Sequence, residues 1–264
     1  MDDSIHALAA LEGAAAIAET LGAELVAVHV EDAELLRAAG LPFAVELTPY
    51  ASGPRAMSAS SMQRALHLQS TRLRRVVEAA ATRHSLRWQF RSVCGNVAHE
   101  ILTAAEEADM LVLGKAGASR LKRLPLGATA RAVVAGTRRT VVVVQQGAPI
   151  TRPVFVLYDG SEAADRALAT ASRITGAVEG GMLVLLPRGD AGEAAKHRAA
   201  SLTEAAGVHV RFVEMGEATP RAVLSAVRRH GCRTLVVNDD SRLLGSMSVG
   251  DLLAELDCPA IVVR

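Results

Sequence analysis

The segment "FRSVCGNVAHEILTAAEEADMLVLG", residues 90–114, decides the fold. In it a short strand-like run is followed by a glycine, an amphipathic helical stretch and a continuous apolar run. The same order returns in "FVEMGEATPRAVLSAVRRHGCRTLVVN", residues 212–238, and the closing runs "RRTVVVVQ" and "DCPAIVVR" also match. We therefore predict two tandem copies of one α/β domain, at residues 1–147 and 152–264, joined by "QGAPITR".

Short apolar runs alternate with longer Ala, Leu, Glu and Arg-rich segments along both copies. Near-continuous apolar runs are typical of strands that are covered on both faces, and the segments between them are long enough for crossover helices. This pattern predicts a doubly wound parallel sheet in each copy. The runs lie at residues 24–30, 87–93, 109–114, 140–145, 153–159, 181–187, 208–214, 233–238 and 260–263.

The two copies differ at their beginnings. The second copy opens with "PVFVLYDGS", a strand followed by a helix, whereas the first opens with "MDDS" and continues directly into a helix. We therefore expect the first copy to lack its first strand, and our hypothesis is that the true start of the chain lies upstream of Met1. The first copy also carries an insert at residues 41–57, whose prolines, glycine, Phe43 and Tyr50 favour a covering loop over a helix.

The stretch "GKAGASRLKRLPLGAT", residues 114–129, follows a predicted strand and leads into a predicted helix. Glycines let backbone N–H groups approach an anion closely, and a helix N-terminus adds unpaired donors and partial positive charge. Lys115, Arg120, Lys122 and Arg123 would add charge-assisted contacts to a phosphate. The alternative, an ordinary strand-to-helix turn with solvated cations, stays open at this point.

The glycine spacing Gly114-x2-Gly117-x9-Gly127, together with "YDGSEAADRAL" (158–168) and "DCPAIVVR" (257–264), resembles the universal stress protein family in a tandem form. The resemblance covers the chain apart from the insert. It implies five-stranded sheets in the order 3-2-1-4-5 that pair across their last strands. It also implies that ATP or another adenine nucleotide is bound by some members and none by others.

By this resemblance the first copy keeps a weakened nucleotide site. Nucleotide-binding members have Gly-Ser or Gly-Thr at the end of the motif, whereas here Ala128 follows Gly127 and the hydroxyl comes one position later. They also place an aspartate after the first strand, which corresponds to Asp2 or Asp3 here. The predicted cofactor-binding residues are Val30, which would line the base pocket, and Gly114, Lys115, Gly117, Gly127, Ala128 and Thr129.

The second copy retains the other half of the site. Asp159 stands after its first strand, but its loop reads "NDDSRLLGSMSVG", residues 238–250. Asn238 and Ser241 replace two of the glycines, and Asp239 and Asp240 would repel a phosphate. We therefore expect no nucleotide in the second copy.

Composition excludes several classes of partner. A formal net charge of +1 gives no general attraction for nucleic acid. No apolar run approaches the roughly 20 residues of a membrane span, and the acidic N-terminus is unlike a signal peptide. Cys94, Cys232 and Cys258 show no metal or disulfide spacing, which favours reduced thiols and a cytoplasmic location. The basic helical stretch at residues 63–84 is predicted to be a solvated outer helix.

No enzyme motif is complete. "SMSVG" lacks the first glycine of a nucleophile elbow around Ser248, and "HEILT" lacks the second histidine of a zinc motif. We predict no enzyme and no metal, but a stress-response regulator that binds ATP or AMP weakly in its first copy. The alternatives are a protein interaction scaffold that binds no nucleotide and, more weakly, a hydrolase or ligase. The protein partner is unidentified, and a homodimer through exposed last strands is open, although tandem copies also satisfy each other.

Overall fold

A computed structural model describes residues 1–46, 55–115, 126–145, 147–175, 181–216 and 219–264. The helices are α1 (Ile5–Leu21), α2 (Ala33–Ala39), α3 (Ala59–Arg83), α4 (Val97–Glu106), α5 (Ala128–Gly136), α6 (Glu162–Thr175), α7 (Asp190–Ala205), α8 (Pro220–Arg229) and α9 (Val249–Glu255). The strands are β1 (Leu25–Asp32), β2 (Val45–Glu46), β3 (Arg55–Ala56), β4 (Trp88–Gly95), β5 (Met110–Gly114), β6 (Thr140–Val144), β7 (Val154–Leu157), β8 (Met182–Leu186), β9 (Val210–Glu214), β10 (Thr234–Asn238) and β11 (Ala260–Val263). Every apolar run predicted to be a strand overlaps one of these.

The second copy has a complete parallel sheet. Its strands lie in the order β9-β8-β7-β10-β11, which is 3-2-1-4-5 when they are numbered within the copy. The central strand β7 pairs with β8 on one side and with β10 on the other. The strand order implied by the resemblance is therefore confirmed.

The first copy has the same arrangement without its central strand. β1 pairs only with β4, and β5 pairs with β6, while nothing in the described residues joins β1 to β5. All five residues of β5 are half-buried, whereas its counterpart β10 is buried throughout. Within the described residues the predicted lack of a first strand is confirmed, and no strand pairs with β1 or β5 on the side where it would lie.

The two copies share one sheet through their last strands. β6 runs antiparallel to β11, with Val142 opposite Ile261, and this joins β5 and β6 to the second copy in a seven-stranded sheet. The last strands thus satisfy each other within one chain. Whether residues 1–147 and 152–264 fold as independent domains stays a prediction.

Helices cover both faces of the shared sheet, as a doubly wound fold requires. Val142 and Val144 of β6 pack with residues of α1, α6 and α7 on one face. Val141 and Val143 pack with residues of α5, α8 and α9 on the other. Each fully buried aliphatic side chain contributes about 1.5–3 kcal/mol, so the alternating valines stabilise both layers.

The insert of the first copy is not helical over residues 41–46 and 55–57, as predicted, and it includes the short antiparallel pair β2 and β3. Residues 47–54, with Tyr50, lie outside the described part. Phe43 is 77 % exposed and covers no core, so its predicted covering role is wrong for this side chain. No described helix is both long and apolar enough to cross a membrane.

Candidate functional site

The candidate site is the rim of the first copy, formed by the carboxyl ends of β1 and β5 and the start of α5. β5 ends at Gly114, and the N–H of Lys115 donates to the oxygen of Val144 at 2.7 Å. The N–H of Gly127 donates to the oxygen of Lys115 at 2.9 Å. This bond joins the two ends of the glycine-rich loop. The predicted site residue Gly117 lies within residues 116–125, outside the described part.

α5 begins without a side-chain cap. Its N-cap is Gly127, with φ −58° and ψ 153°, and among the described residues no side chain accepts a hydrogen bond from its first turn. In contrast, Asn96 caps α4, Thr219 caps α8 and Ser248 caps α9 through side-chain oxygens. The first N–H groups of a helix otherwise lack partners and carry partial positive charge. The start of α5, with Ala128 and Thr129 exposed, therefore suits an anion.

Gly114 is explained by a close contact with the first helix. A Cβ atom at this position would lie 2.9 Å from the carbonyl carbon and oxygen of His6. Real Cβ atoms do not approach the backbone so closely, and the first turn of α1 could not move away without disturbing its packing. The residue is a glycine for the sake of this contact, which also brings the start of α1 to the rim.

The side chain of Lys115 reaches the second copy. Its side chain is buried, and its ammonium group donates to the oxygen of Leu256 at 2.5 Å and to that of Ala254 at 3.2 Å. Burial lowers the pKa of Lys115, although the nearby Asp257 acts in the opposite direction. Since β6 and β11 are antiparallel, the rim of the first copy meets the end of α9 and the start of β11. The ammonium group therefore bridges the two copies in this structure, and a phosphate contact would require it to leave these carbonyls.

The chain start reaches the rim beside β1. The amino group of Met1 donates to the oxygen of Val28 at 2.6 Å, and Nδ1 of His29 donates to the oxygen of Met1 at 2.7 Å. Burial lowers the pKa of this amino group, while Asp2 raises it. Val30, the predicted base-pocket residue, follows His29 on β1 and is half-buried.

Asp2 rather than Asp3 corresponds to Asp159. The carboxylate of Asp2 accepts a hydrogen bond from the N–H of Ser4 at 3.1 Å. The carboxylate of Asp159 accepts the equivalent hydrogen bond from the N–H of Ser161 at 3.0 Å. The spacing D-x-S, present in both "DDS" and "DGS", is the sequence signal that separates Asp2 from Asp3. Asp2 and Val30 thus lie beside or on β1, while Gly114, Gly127, Ala128 and Thr129 lie at the end of β5 and the start of α5.

The equivalent rim of the second copy is closed by its own loop. The carboxylate of Asp159 accepts hydrogen bonds from the N–H and hydroxyl of Ser161 and, at 2.9 Å, from the N–H of Arg242. A short 3₁₀ turn then buries Leu243 and Leu244 in the core. This loop therefore packs on the core of the second copy and contacts the aspartate that follows its first strand.

Two further observations concern the motif around Ser248 and metal binding. Ser248, in the degraded nucleophile motif, caps α9: its hydroxyl accepts from the N–H of Asp251 at 3.1 Å and donates to the carboxylate of Asp251 at 2.7 Å. Within the described ranges, no group of three His, Cys, Asp or Glu side chains is arranged to hold a metal ion.

Two side-chain groups were not found from the sequence. Tyr158 is buried, and its hydroxyl donates to Asp165 at 2.6 Å, while Arg198 makes a two-pronged contact with the same carboxylate. Cys232 and Cys258 have their sulfur atoms 3.9 Å apart. Tyr158 follows β7 while Asp165 and Arg198 lie on α6 and α7, and the two cysteines lie in separate turns, so spacing along the chain carries no signal for either group.

Comparison with known proteins agrees with the fold. The profile described as the Universal stress protein family matches residues 1–145 of the chain. A universal stress protein from Archaeoglobus fulgidus has a similar structure, with a TM-score of 0.74 and 18 % identity over 100 % of this chain and 96 % of that one. A functionally unknown protein from Pseudomonas aeruginosa PAO1 has a TM-score of 0.51 and 13 % identity, over 94 % of this chain and 84 % of that one. No curated protein matches the sequence. The chain belongs to the universal stress protein family.

Proposed function

We propose that this universal stress protein is a cytoplasmic stress-response regulator that binds ATP or AMP weakly at the rim of its first copy. The observation that carries the proposal is the start of α5. Gly127 closes the loop through its bond to the oxygen of Lys115 and leaves α5 without a side-chain cap. A terminal phosphate fits the role of the missing cap.

The geometry also supports weak rather than tight binding. Ala128 brings no hydroxyl to the first position of α5, and the hydroxyl of Thr129 is one position further along. The ammonium group of Lys115 is engaged with Ala254 and Leu256, so binding it to a phosphate would break two hydrogen bonds. The adenosine moiety would contact Val30 and Asp2, beside the position between β1 and β5 where no described strand lies.

We propose binding without catalysis. A hydrolase or ligase would need a general base or a metal ion close to the phosphates. We assign no proton transfer to the carboxylate of Asp2, which accepts a hydrogen bond from the N–H of Ser4. No metal, nucleic acid or membrane is part of the proposal.

A second candidate function is a protein interaction scaffold that binds no nucleotide. The burial of Lys115 against the second copy favours it, because that lysine then stabilises the tandem arrangement instead of a ligand. The closed loop around Asp159 also favours it. The protein partner would be unidentified, and a homodimer would have to use a surface other than β6 and β11, which pair with each other.

Calorimetric titration with ATP and with AMP distinguishes the two functions. The informative variant is Gly127→Asp, because aspartate is a favourable N-cap residue at these dihedral angles but places a negative charge where the phosphate would lie. We expect this variant to keep its thermal stability and to lose nucleotide affinity by at least about tenfold. Thr219→Asp is the matched control, since it adds the same charge at the N-cap of α8.

A gain of affinity provides the complementary test. Ala128→Ser restores a hydroxyl at the position where nucleotide-binding members of the family have one, and we expect it to bind ATP about three to tenfold more tightly. Absence of heat with ATP and AMP for the unaltered protein and for Ala128→Ser, with no nucleotide released on denaturation, would support the scaffold and overturn the binding proposal.

A further inference from the structure

Two thiols of the second copy meet beside the contact between the copies. Cys232 lies between α8 and β10, and Cys258 lies between α9 and β11. Since β10 and β11 are neighbouring parallel strands, their preceding turns lie at the same edge of the sheet. The two sulfur atoms are 3.9 Å apart, and both residues are partly exposed.

The backbone holds both turns in place. The N–H of Cys232 donates to the oxygen of Val227 at 3.0 Å, and the N–H of Leu235 donates to the oxygen of Pro259, next to Cys258, at 2.9 Å. A disulfide requires a sulfur to sulfur distance of about 2 Å, so the sulfurs need to approach by about 2 Å. Movement on this scale is available from side-chain rotation, without separating the strands.

The surroundings make the two thiols unequal. The hydrogen bond from Cys232 lowers the pKa of Cys258, and the ammonium group of Lys115 acts in the same direction, whereas burial and Asp257 oppose it. The hydrogen bond to Cys258, together with burial, raises the pKa of Cys232. Because the thiolate is the nucleophilic form of cysteine, Cys258 is the attacking member of the pair.

We propose that Cys232 and Cys258 are a modification site at which a hydroperoxide oxidises the pair to an intramolecular disulfide. The sulfur of Cys258 attacks the peroxide, so that an S–O bond forms, the O–O bond breaks, and the leaving oxygen takes a proton to become water or an alcohol. The sulfur of Cys232 then attacks the sulfenic acid of Cys258. An S–S bond forms, the S–O bond breaks, and the oxygen leaves as water with the thiol proton of Cys232. Two electrons pass from the thiols to the peroxide, and a dithiol reductant reverses the reaction.

Cys94 is an internal comparison. It lies on β4 in the first copy and is exposed. If exposure alone decided which thiol reacts, the peroxide would oxidise Cys94 first. The neighbouring thiol of Cys232 and the ammonium group of Lys115 favour oxidation of Cys258 instead. The site does not depend on nucleotide binding.

Hydrogen peroxide added to the reduced full-length protein, followed by alkylation and mass spectrometry, tests the site. We expect the intact protein to lose two hydrogens, about 2 Da, before alkylation and then to take up one alkyl group, at Cys94, instead of three, with a peptide that links Cys232 to Cys258. Cys94→Ser should behave like the unaltered protein. In Cys232→Ser the reaction should stop at a sulfenic acid on Cys258 that dimedone traps, and Cys258→Ser should form no internal disulfide.

The role of Lys115 gives a second readout. Lys115→Met should slow alkylation of Cys258 by iodoacetamide at neutral pH by about three to tenfold, while Lys196→Met, at a partly exposed lysine of α7, should leave the rate unchanged. Circular dichroism confirms that both variants are folded. Oxidation of Cys94 without a disulfide between Cys232 and Cys258, or a disulfide that forms only in urea, would overturn the proposal.

Discussion

The amino group of Met1 makes the same contact with Val28 that the backbone N–H of Tyr158 makes with Leu185. The two bonds measure 2.6 Å and 3.0 Å, and each links the residue that precedes Asp2 or Asp159 to the neighbouring strand. In the second copy the four residues of β7 precede this point and fill the space between β8 and β10. In the first copy the corresponding position between β1 and β5, the gap, holds no described strand, and we infer that a parallel strand placed there would end at Met1.

We expect that joining Val-Phe-Val-Leu, the sequence of β7, to Met1 stabilises the protein. The extension would pair with the free edges of β1 and β5 and would replace a buried ammonium group by an amide. We estimate a gain of about 2 kcal/mol in the free energy of unfolding, the balance of four buried apolar side chains against the ordering of four residues. Thermal unfolding measures the gain, and hydrogen exchange should show new protection in β1 and β5.

A Pro-Phe-Pro-Leu extension is the control, because it remains apolar but cannot donate two of the ladder hydrogen bonds. If both extensions stabilise the protein equally, the gain comes from apolar contact alone and strand insertion is excluded. If neither does, the gap does not accept a strand.

The sheet of the second copy could be predicted closely because its apolar runs are continuous. The run at residues 181–187 contains β8, and the run at 233–238 contains β10. The lack of a first strand in the first copy could also be predicted. Each strand of a sheet buried on both faces needs a continuous apolar run, and the residues before Ile5, where α1 begins, contain none.

The direction of Lys115 could not be predicted. A lysine after β5 has the same sequence neighbours whether its ammonium group meets a phosphate or the oxygen of Leu256, which is 141 residues away. Only the antiparallel pairing of β6 with β11 brings that carbonyl to the rim. The pair of Cys232 and Cys258, 26 residues apart, likewise depends on the adjacency of β10 and β11.

Lys115→Met is expected to destabilise the protein. It removes two hydrogen bonds from a charged donor and leaves the oxygens of Ala254 and Leu256 buried against an apolar side chain. We expect the free energy of unfolding in urea to fall by about 2 kcal/mol. Lys196→Met, at a partly exposed lysine 3.5 Å from Glu193, should change it little. An unchanged stability with a loss of ATP affinity would mean that Lys115 serves the ligand and not the contact between copies.

Gly114→Ala should destabilise the first copy through its contact with α1. The added Cβ would meet the backbone of His6 at 2.9 Å, so either the helix or the strand end has to shift. We expect a loss of about 1–3 kcal/mol, which is usual for overpacking. Gly216→Ala is the comparison, because a Cβ atom there meets nothing within 4 Å. Equal stability of the two variants in thermal unfolding would show that the close contact is not needed.

Asp165→Asn should reveal an acid-dependent part of the stability. Burial of this carboxyl works to raise its pKa, but hydrogen bonds from Arg198 and Tyr158 outweigh it, and the pKa of Asp165 is lowered. A carboxyl whose pKa is lower in the folded than in the unfolded protein stabilises the fold at pH values above its unfolded pKa of about 3.9. This contribution is lost as the pH falls through that value towards the pKa of the folded state.

We therefore expect Asp165→Asn to unfold at a lower temperature than the unaltered protein at pH 7, and the difference to shrink steadily between about pH 5 and pH 3. Asp109→Asn, at an exposed carboxyl before β5, should show a small difference at both ends of this range. Tyr158→Phe keeps the buried ring but removes the hydroxyl that donates to Asp165, so it should weaken the acid dependence in part. A stability difference for Asp165→Asn that stays constant from pH 7 to pH 3 would exclude ionisation as its source, because a purely steric or packing effect of the amide does not titrate.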